Sequence, residues 1–142
     1  MDCVMRIAAL PTLVLALLVG CSTDRSILES DVYLPENMTT IRSANIRRVD
    51  GALIGGDFLI AGRVNDAEAS VDELVAYYCS NGWFLKRQIP GLDFSRADLV
   101  KGDRTVTVEL VRRRIDPANS TGTIVVASAS KSAASVAESP MK

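Results

Sequence analysis

The side chains that most often carry out chemistry are scarce in this chain. No histidine occurs in its 142 residues, which removes the commonest general base and the commonest metal ligand. Cys79 is the first candidate nucleophile. A working thiolate needs a nearby base, a cation or a helix N-terminus, but Cys79 falls at the C-terminal end of a predicted helix, where the dipole opposes a thiolate. A buried core thiol is the expectation. The carboxylates Asp57, Asp66, Glu68, Asp72 and Glu73 gather around the start of that helix. Negative charge there complements the dipole, and the spacing does not match a calcium-binding loop. Gly51, Gly55 and Gly56 lack the Gly-Lys-Ser/Thr of a phosphate-binding loop and read as turn glycines.

Two arginine clusters remain, Arg47-Arg48 and Arg112-Arg113-Arg114. Together they form a candidate anion-binding patch, since guanidinium groups suit phosphate by bidentate bonding. Solvated strand ends are the more ordinary explanation, and whether the clusters meet depends on strand order. Tyr77, Tyr78, Trp83 and Phe84 could offer an aromatic surface to a glycan, but the packing needs of a helix C-terminus account for Tyr78 and Trp83. With 16 basic and 17 acidic residues the net charge is −1, which gives no reason to expect nucleic acid as a partner. Neither a metal nor a cofactor is expected.

The N-terminus carries a more specific signal. A short charged start is followed by an apolar run from Ile7 and then Leu18-Val19-Gly20-Cys21. The run is too short for a comfortable bilayer span, which takes roughly 20 residues, and it matches a secretory signal. Leu18-Val19-Gly20-Cys21 resembles the lipobox of bacterial lipoproteins. The resemblance implies cleavage between Gly20 and Cys21 and acylation of Cys21, so that the protein hangs from a membrane by lipid. Two or more acyl chains hold stably where one does not. Ser22 in place of the Asp that tends to retain such proteins at the inner membrane implies the periplasmic face of the outer membrane. In a Gram-positive source it would be the outer face of the plasma membrane. Cys3 then leaves with the signal and Cys21 is capped, so Cys79 has no disulfide partner within the chain.

The elements that would position these residues follow from periodicity. Residues 22–39 show little pattern and read as a flexible tether, holding domain and membrane about 25 Å apart. Strands are expected over 40–49 and 57–64, the latter with Phe58, Ile60 and Val64 on one face. Ser70 and Glu73 form a capping box for a helix over 71–80, whose stripe is Val71, Leu74, Val75 and Tyr78. Asn81-Gly82 ends it, and Trp83 folds back over Tyr78. Strands follow over 83–89, 97–101, 104–113 and 123–127, with Gly102-Asp103 as a hairpin turn. A short helix capped at Ser95 is the rival for 97–101, but its length makes it marginal.

The expected architecture is α+β: one helix packed on a curved antiparallel sheet, in the order β-β-α-β-β-β-β. Residues 1–20 are the signal peptide, 21–39 the tether, 40–128 the domain and 129–142 a disordered tail poor in large apolar side chains. The run from Val71 to Trp83, followed by Lys101-Gly102-Asp103-Arg104, resembles small envelope lipoproteins of unassigned function. In these a helix ends in Gly-Trp and a later hairpin carries a similar turn. The motif is structural and implies no activity. The function expected is a non-catalytic binding or structural role at the membrane, with another envelope protein as the candidate partner. The alternative is a module that binds a small ligand, a lipid or a glycan.

Overall fold

The computed structural model describes residues 24–129. The signal peptide, Cys21 and all but the first residue of the expected tail lie outside the described residues. Six strands, β1 (Met38–Val49), β2 (Ala52–Gly62), β3 (Phe84–Ile89), β4 (Phe94–Lys101), β5 (Arg104–Val111) and β6 (Ser120–Ser128), form one antiparallel sheet. The helix α1 (Ala67–Ser80) stands between β2 and β3 in the chain. The element order is β-β-α-β-β-β-β, and the fold is α+β.

The expectation of a curved sheet is corrected. The strands run β1-β2-β6-β5-β4-β3, so β1 and β3 lie at opposite edges and the sheet neither curls nor closes. The physical reason lies in what covers it. Helix α1 packs on β4, with lesser contact to β3 and β5. Here residues 24–37 provide a second cover, so the sheet stays open.

This segment was expected to be a flexible tether, and it differs from that reading over all its described length. Its backbone folds back on itself through a bridge between Ser26 and Tyr33, with Leu34 N–H donating to Arg25 O at 2.8 Å. Ile27 and Val32 enter the core. Burying an aliphatic side chain of this size contributes about 1.5–3 kcal/mol, enough for two such residues to offset part of the ordering entropy of a short segment. The segment then crosses β2 closely. A Cβ on Gly62 would stand 2.0 Å from Asn37 O, so only glycine lets the two backbones approach.

The helix starts four residues earlier than the capping box predicts. Asp66 is the N-cap, its Oδ1 accepting from Ala69 N–H at 3.0 Å, while Ser70 Oγ donates to Asp66 O. The earlier start adds Ala67 to the buried stripe of Val71, Leu74 and Tyr78, whereas Val75 is only half-buried. Cys79 is exposed, which corrects the expectation of a core thiol: one residue past Tyr78 turns the side chain about 100° away from the sheet. At the C-terminus Gly82 takes φ +87°, Gly82 N–H donates to Cys79 O, and Trp83 N–H donates to Tyr78 O. This paired cap places the Trp83 ring edge-on to Tyr78, 5.6 Å between centroids.

The remaining strands bury alternate residues, among them Ala97, Leu99, Val106, Val108, Leu110, Ile124 and Val126. Ser95 lies within β4, so the rival short helix does not form. The Tyr78 hydroxyl closes the core by donating to Tyr33 O at 3.0 Å and accepting from Tyr33 N–H at 2.8 Å. Burial is the chief cause that pushes its phenol pKa up, so it stays protonated and able to donate. Tyr78→Phe removes both bonds and should cost about 1–3 kcal/mol of unfolding free energy, read as a lower denaturation midpoint at unchanged slope. An unchanged midpoint would mean that residues 24–37 are not held in this way.

Candidate functional site

The densest polar constellation lies where the folded-back segment meets the β4–β5 hairpin. Asp31 receives a two-pronged contact from Arg104, Nη1 to Oδ1 at 2.8 Å and Nη2 to Oδ2 at 2.6 Å. Lys101 Nζ donates to Asp31 Oδ2 at 2.9 Å and to Asn81 O at 3.1 Å. Arg104 Nη1 also donates to Leu53 O. The indole N–H of buried Trp83 donates to Asp31 O at 3.0 Å, and the Arg104 guanidinium stands 5.1 Å from the Trp83 ring centroid. A carboxylate, two cations and an indole thus fasten four parts of the chain together. The Arg104 hydrogen bond is the main cause that holds the Asp31 carboxyl down at about 2, with Lys101 adding to it against the opposing effect of burial. This group is fully partnered, and its chemistry is that of a fastener.

Beside the segment lies a groove of about 900 Å³, bounded by Ile27, Leu28, Leu34, Met38 and Ser43 with Phe58 at its base. Arg25 stands at its rim, donating to Leu34 O and to Glu73 Oε1 at 3.0 Å. The opposite face of the sheet carries a second polar network. Arg96 forks between Asp98 and Glu109, at 3.1 and 2.9 Å, and Thr107 Oγ1 donates to Asp98 at 2.8 Å. These contacts link β4 to β5 and occupy both carboxylates. Among the described residues no group of three or more His, Cys, Asp or Glu side chains is placed to hold a metal ion.

The two arginine clusters do not meet. Arg47 and Arg48 pair with Gly55 and Leu53 near the start of β2. Arg112, Arg113 and Arg114 follow the end of β5, whose Val111 pairs with Thr121 at the start of β6, itself opposite Ala61 near the end of β2. The clusters therefore sit at opposite ends of the sheet, with two strands between them. Most of these cations are also engaged. The Arg47 guanidinium lies over Gly55, and Arg48 donates to Leu28 O and Gly51 O. Arg112 and Arg114 both grip Asp93, whose carboxyl is held below its ordinary value chiefly by Arg114. Arg113 is exposed. A single composite patch is not formed.

The aromatic residues divide as packing requires. Tyr78 and Trp83 are buried, while Phe84 and Tyr77 are exposed, with Tyr77 edge-on to Tyr33 at 4.8 Å and under Arg25. Sequence reasoning missed Asp31, Lys101 and Arg104 as a unit. It also missed an apolar cluster at one end of the sheet, comprising Leu92, Phe94, Val111 and Ile115. No known protein family, curated protein or solved structure matches the chain.

The Asp31 fastener sets a pH signature. Its folded pKa is depressed, so its stabilisation is complete above the unfolded value near 3.8 and is lost as pH falls through about 2. Asp31→Asn should flatten the fall in stability across that acid window. At neutral pH it should cost about 1 kcal/mol, a modest figure because water screens a partly exposed pair. Denaturation midpoints measured between pH 2 and pH 7 check both, and identical acid profiles for the two chains would refute the assignment.

Proposed function

We propose that this protein is a lipid-anchored lipoprotein of the cell envelope, on the periplasmic face of the outer membrane, whose domain has a non-catalytic binding or structural role. The observation that carries the reading is Leu18-Val19-Gly20-Cys21 at the end of a short apolar run. Its position relative to the domain supports it. Cys21 stands three residues before Asp24 in the chain, and Arg25 is already fastened to Leu34 and Glu73. An anchor at Cys21 would hold the domain within about 10 Å of the attachment point, the reach of three extended residues. The non-catalytic part of the reading is supported by how the polar groups are used: Asp31, Asp93, Asp98 and Glu109 are each bound by arginine.

A second reading, a module for a small lipid or glycan, is favoured by the groove of about 900 Å³ beside Phe58 and Met38. A lipid or glycan retained in native mass spectra, and displaced by filling the groove with Ser43→Trp, would favour it over the first.

The anchor itself is tested by intact mass and detergent phase partition of the protein made in cells. The expected chain starts at Cys21, carries acyl groups and enters the detergent phase, while Cys21→Ala moves to the aqueous phase. A native chain with a free thiol at Cys21, or with another N-terminus, would overturn the reading.

A further inference from the structure

Four large apolar side chains gather at the end of the sheet where β4 begins and β5 ends. Ile115 is fully exposed, and Leu92, Phe94 and Val111 expose 53%, 42% and 46% of their surface. Leu92, Phe94 and Val111 are neighbours by register. Phe94 pairs with Val111, and Arg112 N–H donates to Asp93 O at 2.8 Å, which continues the ladder one step and brings Leu92 level with Arg113. Residues 112–116 then cross to the short 3-10 turn Pro117–Asn119, with Ile115 at the crossing. A scattered exposed leucine or valine needs no explanation. A set at one end of the sheet, with an isoleucine wholly in water directly after three arginines, does.

The cations fit the same picture. Arg113 is exposed, and the Arg114 side chain keeps 79% of its surface although it touches Asp93. A pair that exposed is weak and can be exchanged for another anion. Asp116 is the acidic residue in this loop that no arginine binds among the described residues, and it accepts from Asn119.

The route of the chain brings this end towards the anchor. Leu34 N–H donates to Arg25 O, which sets Asp24 beside Pro35. Two residues on, Asn37 O accepts from Arg63 N–H at 3.2 Å, next to Gly62 at the end of β2. Gly62 pairs with Ser120, the first residue of β6, which adjoins Val111 through Thr121. The chain therefore enters the domain at the same end of the sheet as Ile115, on the face that α1 covers, while Phe94 and Val111 project from the other face of that end.

We propose that Leu92, Phe94, Val111 and Ile115, flanked by Arg113 and Arg114, form a second membrane contact, which seats against a bilayer containing anionic lipid. This rests on the lipid anchor at Cys21. Apolar tips enter the headgroup layer while guanidinium groups bind lipid phosphate. A short link makes the contact intramolecular, so that a surface too weak to bind membranes alone is occupied once the anchor is in place. The domain then stands with its β1–β2 turn away from the bilayer.

The test uses the acylated protein reconstituted in vesicles of phosphatidylethanolamine and phosphatidylglycerol. Ile115→Cys, in a Cys79→Ser background, carries an environment-sensitive fluorophore. Ala127→Cys, at the other end of the sheet beside Thr105, is the control. Both positions are on the surface, so neither label disturbs the core. The label at 115 is expected to shift to the blue and lose intensity to lipids brominated in the upper acyl chain, and the label at 127 to do neither. Intact mass of the same sample separates the outcomes. A lipidated chain whose two labels behave alike overturns the second contact alone, and an unmodified Cys21 overturns the anchor and the second contact together.

Discussion

Asp31 and Arg104 meet across a two-pronged contact that joins the first folded residues of the chain to the β4–β5 hairpin, 73 positions away in sequence. The contact is partly exposed, and such a pair contributes about 1 kcal/mol at most. Its main effect is on register. The larger energy comes from what the register brings into the core: Ile27 and Val32 pack with Tyr78, Trp83 and Phe58, at about 1.5–3 kcal/mol for each buried aliphatic side chain. Asp31 decides where the segment lies, and apolar burial holds it there. If the segment were released, the Trp83 indole and the Tyr33 backbone would lose their partners.

The sheet topology follows from the same arrangement. Helix α1 covers the β3–β5 side, and residues 24–37 share the rest of that face. Two covers allow a broad, open sheet whose other face carries the Arg96 network in place of a second layer. The two ends of the sheet differ in character. One holds the fastener around Asp31 together with the β1–β2 turn. The other holds the start of α1, the crossing from β5 to β6 and the apolar cluster around Ile115. On the proposed reading, an anchor at Cys21 would lie three residues from the folded segment, and that difference would then decide which end of the sheet faces the membrane.

Much of the element order was legible in the sequence, because it rests on local patterns. Val106, Val108 and Leu110 alternate, Asn81-Gly82 terminates a helix, and Gly102-Asp103 sits between two apolar runs. The helix start was misjudged because Asp66 and Ser70 are both good caps, and the choice was settled by burial of Ala67. Cys79 reads as a core thiol because it adjoins the stripe, yet its own angle on the helix points it outward. The shape of the sheet is not legible from the sequence, because its second cover lacks periodicity and reads as a tether. Residues 27–34 in fact contain Ile27, Leu28, Val32, Tyr33 and Leu34, a density of large apolar side chains that a solvated linker does not need. The fastener and the apolar cluster were not legible, since both are made by residues distant in sequence.

Amide hydrogen exchange tests most directly whether the first folded residues belong to the domain. The amides of Ile27, Tyr33 and Leu34 each have a bonded acceptor here, Val32 O, the Tyr78 hydroxyl and Arg25 O. They should exchange orders of magnitude more slowly than a free chain, approaching the amides of β5 and β6. Exchange at the free-chain rate at all three positions, with β5 and β6 still protected, would show the segment to be a tether after all, and would remove the support for the proposed orientation.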